Sequence, residues 1–193
     1  MATLVLPLLT QQGRAQTQEF SDDSELNAFR RSYVAVELCR NLPQGNTVAA
    51  TQPGPPQPAI TYLHNLDSHW MMGVGAGYKL FERRLDPAVP RPSQWLDILS
   101  VSHETLYIVR LNHPTYLLFG PKLLYLFPAT SGQFPPKRDD DYTSEIGAGA
   151  SLQLAHMLSD KAILTLRVDR WRGTYTQRLE GLETAIGLSM ANE

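Results

Sequence analysis

A chain of 193 residues is the size of one domain. Its net charge of -2, from Lys+Arg 17 against Asp+Glu 19, offers no basic footprint for phosphates and excludes nucleic acid as a partner. No apolar run approaches the ~18–20 residues of a membrane helix, so any membrane span must be made of strands, and the single cysteine, Cys39, excludes an internal disulfide and a cysteine zinc site.

Residues 1–15 read as a secretory signal peptide truncated at its start: Ala2 to Leu9 is a short apolar block, and the small residues Gly13 and Ala15 suit cleavage before Gln16. Residues 16–30 form an N-terminal periplasmic segment with a short helix, because Ser21 suits an N-cap, Asp22, Asp23 and Glu25 come early, and Arg30 and Arg31 come late. The barrel domain occupies 31–193, with eight predicted strands at 31–40, 58–66, 69–82, 95–111, 115–128, 142–157, 161–172 and 178–191. Several exceed the ~9–11 residues that a tilted strand needs to cross hydrocarbon, so the barrel should protrude beyond a bilayer. Pro121 falls inside the fifth strand, where a missing N–H costs a ladder bond and suggests a bulge.

The connections alternate in length. Asp67-Ser68, Asn112-His113-Pro114 and Ser159-Asp160 are short and rich in turn formers, whereas 41–57, 83–94, 129–141 and 173–177 are longer. That alternation, with an even strand number, fits a barrel with periplasmic turns, outer loops and both termini in the periplasm.

Three strands carry unlike faces at period two. Met71-Gly73-Gly75-Gly77-Lys79, Glu145-Gly147-Gly149-Ser151-Gln153 and Gly181-Glu183-Ala185-Gly187-Ser189 alternate with Trp70-Met72-Val74-Ala76-Tyr78, Ile146-Ala148-Ala150-Leu152-Leu154 and Leu182-Thr184-Ile186-Leu188-Met190. Glycines suit a crowded interior, so the apolar set faces outward to lipid and the small and charged set inward. The predicted fold is all-β, an eight-stranded antiparallel up-and-down transmembrane β-barrel.

Carried round the barrel, the phase puts Arg31, Glu37, Lys79, Glu104, Lys122, Glu145, Gln153, Arg167, Asp169 and Glu183 in the lumen, with Ser100 and Ser102. Eight strands leave an interior that side chains just fill, so these charges should pair into a plug. Aromatics near strand ends, Trp70, Phe81, Trp95, Tyr116, Phe127 and Trp171, are expected to face lipid as an interfacial girdle.

Catalytic readings are weaker. Ser102-His103-Glu104 suggests a triad, yet adjacent strand residues point to opposite faces. His64, His69, His113 and His156 lie near turns without spaced partners. Gly73-Val74-Gly75-Ala76-Gly77 lacks the helix a phosphate loop requires, and Asp139-Asp140-Asp141, after Lys137-Arg138, reads as a solvated loop rather than a cation site. No catalytic residue, metal or cofactor is assigned.

The eight-strand rhythm, the run Gly73-Val74-Gly75-Ala76-Gly77-Tyr78 and the run from Glu145 to Leu152 resemble the small outer-membrane β-barrel proteins of Gram-negative bacteria, such as OmpA-like, OmpW-like and porin-like barrels. The resemblance covers about residues 31–191 and is architectural; no motif fixes a subfamily, and the final Leu188-Ser189-Met190-Ala191-Asn192-Glu193 lacks the terminal aromatic usual there. It implies an outer-membrane location, outer-membrane lipids as surroundings, a monomer, and outer loops open to an extracellular ligand or protein. The expected role is structural, adhesive or narrow transport. Two alternatives stay open: a barrel enzyme modifying lipid A or phospholipid, and a soluble lipocalin-like carrier with an apolar interior.

Overall fold

The computed structural model describes residues 32–45, 47, 51–83, 95–130, 137–138, 144–173 and 179–192. The expected signal peptide, the helix before the barrel, Arg31 and the aspartate run at 139–141 lie outside these residues. Eight long strands build the barrel: β1 Ser32–Pro43, β2 Gln57–Asn65, β3 Trp70–Arg83, β4 Trp95–Asn112, β5 Thr115–Thr130, β6 Glu145–Ser159, β7 Ala162–Gly173 and β8 Glu180–Asn192. Each lies within three residues of its predicted span. Two short segments, Thr51–Pro53 and Lys137–Arg138, extend the sheet beside β3 and β5.

Every strand pairs antiparallel with its chain neighbours, and β8 returns to pair with β1, Val36 opposite Leu188, which closes the sheet. One line of paired residues runs Tyr33, Leu63, Gly73, Glu104, Lys122, Gly149, Trp171, Gly181 and back to β1 at Pro43, ten residues from its start. A stagger of that size inclines all eight strands to the barrel axis. The short turns at one end join β2 to β3, β4 to β5 and β6 to β7; the long connections gather at the other. These ends are called the short-turn rim and the long-loop rim.

Pro121 sits on the outer face of β5. Between Glu104↔Lys122 and Tyr107↔Phe119 the β4–β5 ladder lapses, then resumes in the same register. The expected bulge is thus a gap in pairing with no residue inserted. At the neighbouring Gly120 a Cβ would lie 1.8 Å from the carbonyl oxygen of Thr105, so only glycine fits this close approach of the two backbones.

Alternation sorts the side chains as the glycine phase requires. The row Glu145, Gly147, Ser151, Gln153 is buried, while Ile146, Leu152 and Leu154 are exposed. Val36, Leu38, Ile60, Val74, Leu123, Tyr125, Leu166, Val168, Ile186 and Leu188 share that exposed outer face. A soluble carrier with an apolar interior and a polar exterior is the reverse arrangement.

The interior is layered. Toward the short-turn rim, Tyr33, Leu63, Met71, Leu106, Ile108, Tyr116, Leu118, Met157 and Ile163 form one apolar cluster. Phe81, Leu96, Ile98, Leu124, Leu126, Trp171 and Leu179 form a second toward the long-loop rim. Charged and hydroxylic side chains fill the level between them.

Candidate functional site

The middle level centres on Arg167, buried on β7. Its guanidinium contacts three carboxylates: Nη1 lies 2.8 Å from Glu37 Oε2, Nη2 lies 2.6 Å from Glu183 Oε1, and Nε lies 3.2 Å from Asp169 Oδ2. A planar fork of five donors can hold three acceptors at once, as a lysine ammonium on a flexible stem does less well. Lys79 on β3 pairs with the other oxygen of Glu183 and stands 5.3 Å from the ring centre of Trp171. Lys122 on β5 lies 2.5 Å from Asp169 Oδ2 and 3.8 Å from Glu104 Oε2.

Neutral groups complete the network. Gln153 Nε2 donates to Glu104 Oε1 at 3.2 Å and to Ser151 Oγ at 3.2 Å, and the Thr61 hydroxyl donates to Glu37 Oε2 at 3.3 Å. Arg167 Nη2 also reaches Cys39 Sγ at 3.6 Å. A cavity of about 20 Å³ remains, bordered by Lys79, Ser100, Ser102, Lys122, Arg167 and Glu183. That volume is enough for roughly one water.

The glycines explain how so many charges fit. Gly187 lies opposite Glu37 in the β1–β8 register, and a Cβ there would come within 2.8 Å of Glu37 Cγ. Gly73 lies opposite Glu104, where a Cβ would come within 2.7 Å of its Cγ. Each glycine leaves space for a long acidic side chain from the next strand, so the alternating Gly pattern and the scattered charges are two halves of one packing arrangement.

Of the residues expected in the lumen, Glu37, Lys79, Glu104, Lys122, Gln153, Arg167, Asp169 and Glu183 meet in this network. Glu145 is buried nearer the long-loop rim, close to Gly173. Ser151, expected on the inward row, belongs to the layer, and so do Thr61 and Cys39, which were not singled out from sequence. Both missed residues share a phase with inward neighbours, Thr61 with Leu63 and Cys39 with Glu37, so alternation held the signal.

The aromatic girdle needs correction at three positions. Phe81, Tyr116 and Trp171 are buried inside the barrel at 0%, 1% and 2% exposure, not turned to lipid. Nearness to strand ends placed them outside, but phase decides: Phe81 follows Lys79 by two residues, Trp171 follows Asp169 by two, and Tyr116 shares a face with Lys122. Trp70 and Phe127 are exposed on the outer face, and Trp95 is half-buried at the long-loop rim. Tyr107, between Trp70 and Phe119 with ring centres 5.0 and 5.8 Å away, joins them in an external aromatic group. Ser102 and Glu104 point inward and His103 outward, so the three form no triad.

No protein-family model and no curated protein matches this chain in sequence. Solved structures do match in fold. Neisserial surface protein A aligns with TM-score 0.61 and 11% identity over 83% of this chain and 97% of its own. Ail, the attachment invasion locus protein of Yersinia pestis, aligns with TM-score 0.45 and 12% identity over 83% of this chain and 95% of its own. OprG, an outer membrane protein of Pseudomonas aeruginosa, aligns with TM-score 0.44 and 10% identity over 83% and 93%. The chain has the fold of a small eight-stranded antiparallel barrel, as Neisserial surface protein A does.

Proposed function

We propose that this chain is an outer-membrane barrel whose lumen is plugged, and that it serves as a scaffold presenting its long loops at the cell surface, in a structural or adhesive role. The observation that carries the reading is the inversion of faces. Ionic side chains such as Arg167, Asp169 and Glu183 are enclosed, at 4%, 1% and 4% exposure, while Val36, Leu152, Leu166 and Ile186 stand at 60%, 49%, 50% and 50% on the outside. Exposed aliphatic side chains over a whole closed sheet are unfavourable in water and favourable in hydrocarbon, where a closed barrel also leaves no backbone edge unpaired.

The plug follows from the layers. An ion crossing the lumen would meet two apolar clusters and, between them, cations and carboxylates already committed to one another. Separating a buried pair leaves an uncompensated charge, which costs about 3–5 kcal/mol. The barrel is therefore closed to ions at rest, and the loops, not the lumen, carry the specific function. Trp70 and Phe127 anchor opposite ends of the belt at headgroup depth, and no side chains here are assigned to catalysis.

Heat-modifiable migration in detergent gels, combined with planar-bilayer recording, tests this reading. The expected result is a folded, faster-migrating form that inserts and stays silent. Steady conductance would overturn the plug, and a protein that remains aqueous without detergent would overturn the membrane reading itself.

A further inference from the structure

The short-turn rim holds a repeated arrangement that the plug does not use. Four of the five histidines lie there on the outer side: His64 at the end of β2, His69 in the β2–β3 turn, His113 in the β4–β5 turn and His156 near the end of β6, all exposed. Three rings are held in the same manner. Ser32 Oγ lies 2.8 Å from His64 Nδ1, Ser68 Oγ lies 2.7 Å from His69 Nδ1, and Thr115 Oγ1 lies 3.0 Å from His156 Nδ1. A hydroxyl both donates and accepts, so each contact survives protonation of the ring, and it engages Nδ1 rather than Nε2.

Two of these rings also stack on tyrosines. His64 lies 6.4 Å from Tyr62 with an interplanar angle of 11°, and His69 lies 5.9 Å from Tyr107 at 17°. The tyrosines belong to the outer apolar face, so the imidazoles sit where that face meets the polar rim. The other charged groups described at this rim are Arg110 and Lys161 against Asp67 and Asp160, which balance. Asp67 is occupied within its turn, accepting the N–H of His69 at 2.7 Å and of Trp70 at 3.0 Å. Among the described residues the rim is thus balanced in charge when the histidines are neutral, and each protonated histidine adds a positive charge to it.

We infer that the short-turn rim is a collar for anionic glycerophospholipid headgroups, and that His64, His69, His113 and His156 make its affinity rise as pH falls. The inference rests on the membrane-spanning reading above. Chemistry favours this occupant: several exposed imidazoles at headgroup depth, two of them stacked on aromatic rings, meet a phosphate that lies in the same plane. The sign follows from charge: a protonated imidazole is a cation, so added protons strengthen the attraction to a phosphate.

The test uses the full chain carrying Trp95→Phe, so that Trp70 is the tryptophan on the lipid-facing surface and Trp171 remains an interior background. It is folded into phosphatidylcholine vesicles containing a minority of brominated phosphatidylglycerol, and quenching gives the preference for the anionic lipid at the protein surface. Each added charge near an anionic surface strengthens binding roughly fivefold. Preference should therefore rise at least ~fivefold from about pH 8 to about pH 5.5. Replacing His64, His69 and His156 by Asn should abolish most of the rise, while replacing them by Lys should make the preference high and nearly independent of pH. Insertion, scored by heat-modifiable migration, with a preference that ignores pH or survives the Asn variant would overturn this inference alone. Failure of the parent chain to insert would overturn the membrane reading and this inference with it.

Discussion

Replacing Arg167 by Met removes the centre of the ionic layer while keeping most of the side-chain volume. Three carboxylates lose a contact, but their fates differ. Glu183 keeps Lys79, and Asp169 keeps Lys122 at 2.5 Å. Among the described residues Glu37 keeps only the Thr61 hydroxyl at 3.3 Å, although it is 5% exposed. A buried carboxylate stripped of its partner costs about 3–5 kcal/mol, and most of that loss belongs to Glu37. Adding Glu37→Gln removes the orphaned charge and leaves a group that can still accept from Thr61, so the double variant should regain more than half of the loss. The coupling between the two positions should reach about 2 kcal/mol, within the range seen for residues in one network. Equilibrium unfolding in urea from phosphatidylcholine vesicles, followed by tryptophan fluorescence, measures each variant. A cost below ~1 kcal/mol for Arg167→Met, or a Glu37→Gln change that adds its own loss, would refute the reasoning.

Leu166→Arg, on the outer face, should destabilise the vesicle-inserted barrel by about 2–4 kcal/mol in the same unfolding experiment, because the new charge meets hydrocarbon. Gly120→Ala should cost on the order of 2–3 kcal/mol, since its Cβ would lie 1.8 Å from a backbone oxygen; Gly147→Ala, whose nearest neighbour is at 3.3 Å, should cost less, and the temperature at which the folded gel form is lost ranks the two. His103→Ala should leave lipid A composition unchanged by mass spectrometry, because His103 and Ser102 stand on opposite faces of β4.

Most of the barrel was legible because two regularities in the sequence agree. Period-two alternation fixed the faces, and the alternation of short and long connections fixed the direction of each strand. The lumen residues followed from phase alone, so Lys79, Glu104, Arg167 and Glu183 could be placed together without knowing which charge meets which. Pairing was not legible: it depends on the ten-residue stagger of the closed sheet, which puts Arg167 of β7 against Glu37 of β1 across the interior. The girdle failed where a second criterion overrode phase. Tryptophan and tyrosine favour interfaces, but Trp171 and Tyr116 also fill wide gaps near the ends of a barrel whose middle is crowded with ion pairs. Met71 was placed inward with the glycine row, but the rest of the apolar clusters above and below the ionic layer were hidden for the same reason, since Leu96 and Leu124 look like lipid-facing residues until their phase is read.

Which face of each strand meets lipid is measured directly by spin-label accessibility along β7. Single cysteines at positions 163 to 169, in a Cys39→Ala background reconstituted in bilayers, would be scanned with oxygen and with a water-soluble relaxation agent. High oxygen accessibility at 164, 166 and 168, alternating with low accessibility to both agents at 163, 165, 167 and 169, is the predicted result. Free access of the water-soluble agent to 164, 166 and 168 would contradict it.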